Sequence, residues 1–138
     1  MRSIFVFPDV EQVAVAALLD ELSPGQRHPW LVDGCLFVWL TTEGECLYLD
    51  WESQAVRSLT RACGHRPGWA LQVDVSSRVD GTAEVRSLTL ALLAQGGIAM
   101  DDYSDHPWTA NEIANDAAVE GLRFFDFKTY YERTKLPH

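Results

Sequence analysis

No lysine or arginine occurs between Arg86 and Arg123, although six acids do: Asp101, Asp102, Asp105, Glu112, Asp116 and Glu120. Three aspartates within five residues are costly to hold together unless a positive group or water faces them. Cysteine is nearly as scarce. Cys35, Cys46 and Cys63 make an odd number with no C-x-x-C spacing, which excludes a disulfide framework and gives no zinc signature. They read as reduced thiols used as small apolar residues. No apolar run approaches a membrane span. The amino-terminal apolar run Ile4–Phe7 is too short for a secretory signal, so a cytoplasmic protein is expected. Glycine-rich phosphate loops and the G-x-S-x-G elbow are both missing, which leaves nucleotide binding and hydrolase chemistry without support. His28, His65, His106 and His138 form no H-x-H or H-x-x-x-H pair.

What is present suits one domain over residues 1–138. The chain is 47% hydrophobic and 11% aromatic, enough for a core without staples. Its net charge of -9 repels nucleic acid and anionic membrane and attracts basic proteins.

Periodicity predicts the elements. Ile4–Phe7 is a strand. A helix then opens at Pro8-Asp9, with Asp9 as cap and Gln12 at the capping-box position; Val10, Val13, Ala14, Ala17, Leu18 and Leu22 follow at helical spacing as far as Ser23-Pro24-Gly25. Residues 26–34 read as a loop. Residues 35–41 and 45–51 read as two strands joined by a hairpin at Thr42-Glu43-Gly44. A second helix covers 53–63 and stops at Gly64. Residues 68–75 alternate as a half-buried strand, with Trp69, Leu71, Val73 and Val75 on one side and Gln72 and Asp74 on the other. A third helix, capped by Asp80 or Thr82, runs to about Gln95 and carries leucines nearly all round. A strand at 98–100 enters the acidic turn. Thr109 and Glu112 form a T-x-x-E capping box, flanked by Trp108 and Ile113 at the positions of a hydrophobic staple. Gly121 is expected to end that helix, and residues 122–127 to form a last strand, the alternative being the start of a terminal helix through Tyr130 and Tyr131. The order predicts an α+β fold, a mostly antiparallel sheet with helices packed on it.

Asp101-Asp102-Tyr103-Ser104-Asp105 matches the D-D-x-x-D magnesium pattern of prenyl-transferring enzymes. Those enzymes need a large helical fold with a second metal segment, which a short mixed chain cannot supply. A different divalent site built on Asp101, Asp102, Asp105 and His106 stays open, and with it a small metal-dependent enzyme. The competing reading makes the turn a contact surface for a basic partner. Asp101, Asp102 and Asp105 point outward there beside Tyr103 and Trp108, an aromatic-plus-acid composition typical of binding hot spots.

The tract from Leu92 to Ile113 combines a helix, a Gly96-Gly97 stop, a short strand, the Asp101-Asp102 turn and the Trp108-Thr109-x-x-Glu112-Ile113 helix start. It resembles a segment of small acidic immunity proteins of bacterial polymorphic-toxin systems, over about a sixth of the chain. The resemblance implies a non-catalytic, cofactor-free protein that binds and blocks a cognate toxin, a basic nuclease being one candidate. A non-catalytic regulatory subunit of another assembly is the remaining alternative.

Overall fold

Strands β1 (Arg2–Pro8), β3 (Leu36–Thr42) and β4 (Trp69–Val75) place alternate residues on the two faces of one sheet. With β2 (Trp30–Val32) and β5 (Gly97–Asp101) they form a five-stranded antiparallel sheet of order β2-β3-β4-β1-β5. The computed structural model describes residues 2–25 and 29–135. The helices are α1 (Gln12–Leu22), α2 (Ser53–Cys63), α3 (Thr82–Leu92), α4 (Ala110–Ala114) and α5 (Phe127–Lys135). The fold is therefore α+β, a single antiparallel sheet with helices on it, as expected.

The larger core lies on one face. Ile4, Val6, Val38, Leu71 and Val73 meet Val15 and Leu19 of α1, Val85, Leu88 and Leu92 of α3, and Ile113 of α4. The second face is covered only in part. There Leu59 of α2, together with Leu47, Tyr48 and Trp51, packs on Phe5, Phe7, Ala70, Ile98 and Met100. Complete burial of Leu59 contributes about 2 kcal/mol, enough to seat α2 on the sheet.

Three expectations are corrected. Residues 45–51 are not a strand. Glu43–Glu45 is a single 3₁₀ turn, Cys46 is left-handed at φ 66°, and two further turns carry the chain to Trp51. The reason is where the segment's apolar side chains go. β4 pairs with one edge of β3 from Leu36↔Val75 to Thr42↔Trp69, and β2 takes only Leu36–Val38 on the other. Leu47, Tyr48 and Trp51 pack with Leu59 over the second face of the sheet instead of extending along Trp39–Thr42. β2 is a strand where a loop is expected, and Asp33-Gly34, both at positive φ, form the hairpin that joins it to β3. Residues 26–28 of that expected loop lie outside the described residues.

The carboxy-terminal segment is the third correction. Residues 122–127 turn rather than extend. Val119 and Leu122 bridge across Glu120-Gly121, Phe125 sits at φ 59°, and Asp126 Oδ1 accepts the Thr129 N–H at the start of α5. A local cap there outcompetes the apolar run.

Helix ends differ in detail. α1 starts from Glu11, with no side-chain cap, and the Asp9 N–H donates to Gly96 O instead. α3 ends at Leu92, short of Gln95. α4 ends well before Gly121, because Asp116 takes the left-handed position and the N–H groups of Asp116 and Ala117 return to Ile113 O and Glu112 O. That is a Schellman stop made without glycine.

Gly97 enters β5 at φ 122°, where an added Cβ would lie 2.9 Å from Pro8 Cα as well as against the Phe7 carbonyl. Gly64, the α2 stop, is at φ 79° with open space around it. Gly97→Ala should therefore cost about 2–4 kcal/mol, and Gly64→Ala about 1 kcal/mol. Urea unfolding of the two variants measures the difference, and equal midpoints would contradict the close approach.

Candidate acidic cleft

β5 ends at Asp101, and the chain turns there into residues 102–107. Together with residues 50–58 and 119–133 this turn encloses an open cleft of about 710 Å³. Asp50, Glu52, Asp101, Asp102, Asp105 and Glu120 line it, against Arg133 and His106. Arg133 is partly committed, since its Nη1 donates to the Glu120 carbonyl at 3.0 Å. Sequence reasoning missed Asp50 and Glu52 as members, because they were read as the end of a strand and its exit. Only the turns at 46–51 bring them to the cleft.

The expected outward display of the turn is corrected in part. Asp101 is 8% exposed. Its Oδ1 accepts the Tyr103 N–H at 3.0 Å, and its Oδ2 accepts the Phe125 N–H at 2.7 Å. Burial pushes its pKa up to about 6, against the pull of the Phe125, Tyr103 and Ser104 amides, which favour the anion. Tyr103 is 7% exposed and packs among Phe125, Phe127, Tyr130 and Tyr131, with ring centroids 5.2–6.5 Å away. Burial raises its phenol above the ordinary value.

Trp108 is completely buried. Its backbone pairs with Ala99 on the outer edge of β5, and its ring meets His106 at 4.6 Å and Phe124 at 6.2 Å, both edge-on. It shares the main core with Ile113, as a staple requires. Asp101, Tyr103 and Trp108 thus build the site from beneath, while Asp102 and Asp105 are exposed. Partial burial of the Asp102 carboxyl raises its pKa; the Ser3 N–H opposes that rise and Asp74 adds to it.

The alternative cation set is not assembled. Asp101 turns inward to backbone amides, and His106 Nε2 lies 3.0 Å from both oxygens of Glu112. Among the described residues no three His, Cys, Asp or Glu side chains converge as metal ligands. Glu112 completes the expected capping box: it accepts the Thr109 N–H at 3.0 Å, and Thr109 Oγ1 accepts the Glu112 N–H at 3.2 Å. Burial would raise the Glu112 pKa, but the Thr109 amide and His106 outweigh it and hold the carboxyl below its ordinary value.

The two arginines bordering the base-free tract both return to it. Arg86 Nη1 lies 3.6 Å and Arg123 Nε 3.2 Å from Asp116, and Arg86 Nη2 also donates to the Ile113 carbonyl. Neutralisation by arginine is therefore concentrated on Asp116, away from Asp102 and Asp105.

A carboxyl raised in the folded state binds its proton more tightly there than in the unfolded chain. Asp101 therefore destabilises fully above pH 6, and the cost is relieved as pH falls towards 4. Relative to Asp101→Asn, wild type should gain on the order of 2 kcal/mol of unfolding free energy between pH 7 and pH 4. Parallel denaturant titrations across that range check it, and a constant difference would contradict the assignment.

Comparison with protein-family models, curated proteins and solved structures yields no match for this chain.

Proposed function

We propose that this chain is an immunity-type protein that binds and neutralises a cognate bacterial toxin, and that the acidic cleft is its main contact surface. The observation that carries the reading is the cleft's lining: Asp50, Glu52, Asp102, Asp105 and Glu120 are exposed there above the buried Asp101, against one arginine and one histidine. A concave acidic surface on a chain of net charge -9 is complementary to a basic protein. Toxins that cleave nucleic acid have basic clefts, because their substrate is a polyanion. The likeness of Leu92–Ile113 to immunity-type segments points the same way.

In this reading Asp102 and Asp105 are the exposed acids that steer encounter and set specificity. Asp101, Tyr103 and Trp108 hold the turn in place and reach the partner little or not at all. Such acids act mainly on the association rate, so salt should weaken their effect.

A toxin-sized open reading frame directly beside the gene is expected, and the test is co-expression with its product. Wild type should rescue growth. The double variant Asp102→Lys, Asp105→Lys should keep its melting temperature within a few degrees, yet lose rescue and slow association about tenfold or more at low salt. Unchanged rescue and unchanged salt dependence would overturn the assignment.

A further inference from the structure

Among the described residues the second face of the sheet is only half covered, and the open half is aromatic. Register places Leu31, Phe37, Asp74 and Ser3 in one row across β2, β3, β4 and β1. Trp39, Gln72 and Phe5 form the next row, which ends at Met100 of β5. α2 and residues 47–51 cover the β1 and β5 end of this face, over Phe5, Phe7 and Met100, and reach β4 at Ala70. Leu31, Phe37 and Trp39 are half-buried and belong to neither apolar core. The Phe37 and Trp39 rings stack on each other, 6.4 Å apart and 27° from parallel.

We propose that this face is an aromatic platform for an arginine-bearing protein surface, continuous with the acidic cleft. The inference rests on the binding reading above and extends its footprint. Charge selects the occupant. Asp74 stands between the rings and the cleft, held by Ser3 Oγ at 2.6 Å and Gln72 Nε2 at 3.0 Å. Asp102 follows it along the same row, one residue beyond the Ile4↔Asp101 pair. Phe5, beside Gln72 in the second row, also lines the cleft. A second copy of the chain packed face to face would set these carboxylates against their own counterparts, and a nucleic acid would be repelled by them. A guanidinium satisfies both halves at once, since its plane stacks on Trp39 or Phe37 while its N–H groups pair with Asp74. The aromatic anchor sought at Trp108 thus lies on β3.

Amide and indole NMR of the full chain, titrated with an alternating Gly-Arg decapeptide and with its Gly-Glu counterpart, tests this. The basic peptide should shift the Trp39 indole and the amides of Phe37 and Asp74 along with those of Asp102 and Asp105, with an effect that salt weakens, and the acidic peptide should shift none. Phe37→Ser with Trp39→Ser should weaken the basic peptide about fivefold or more while leaving the fold intact by circular dichroism. Shifts confined to residues 101–107, with affinity unchanged in the double serine variant, overturn the platform and leave the cleft reading standing. No shift at either place overturns both. Self-association seen by sedimentation in wild type, and lost in the serine variant, overturns it in favour of a second copy.

Discussion

One buried carboxylate joins the acidic turn to the end of the chain. Asp101 closes β5 and accepts the amide of Tyr103, two residues on, and that of Phe125, 24 residues on. These two hydrogen bonds set the positions of two walls of the cleft, the 102–107 turn and the carboxy-terminal segment. Phe125 is at φ 59°, a conformation that a bulky residue adopts only where its surroundings impose it. Tyr103 then gathers Phe125, Phe127, Tyr130 and Tyr131, so α5 docks on the turn that Asp101 has already fixed. Burying the charge is unfavourable, as the raised pKa reports. Two strong charge-assisted bonds offset that cost, and removing their acceptor would leave two buried amides unsatisfied.

The acids of the base-free tract are sorted by this scaffold. Asp116 stops α4 and holds Arg86 and Arg123, while Glu112 starts α4 and holds His106. Asp101 goes inward. Asp102 and Asp105 are left at the cleft, joined there by Asp50, Glu52 and Glu120 from distant parts of the chain. A surface of this sign costs some self-repulsion in the free protein, which a basic partner would relieve.

The parts that the sequence revealed were those decided locally. The bounds of α2 follow from its amphipathic pattern and Gly64, β4 from its alternation, and the start of α4 from Thr109 and Glu112. The failures arose where distant partners decide. Residues 45–51 have strand composition, but Leu47, Tyr48 and Trp51 pack with Leu59 of α2 over the second face of the sheet. Residues 122–127 have it too, but Asp101 captures the Phe125 amide and Asp126 starts a helix. The acidic turn was legible as a corner and illegible as a surface. Nothing in the spacing of Asp101, Asp102 and Asp105 says that the first turns inward, because its second acceptor bond goes to a residue far along the chain. Trp108 is legible at its staple position beside Ile113, but not in its complete burial, which depends on pairing with Ala99 and on Phe124 folding over it.

The most direct test of this account is native-state hydrogen exchange at the Phe125 amide, whose hydrogen bond is to the Asp101 carboxylate. Protection approaching that of core amides in β4, such as Val73, is expected, since Phe125 is released only when the turn and the carboxy-terminal segment come apart together. Exchange at the rate of an exposed loop amide would show that Asp101 does not hold the segment, and the walls of the cleft would lose their common support.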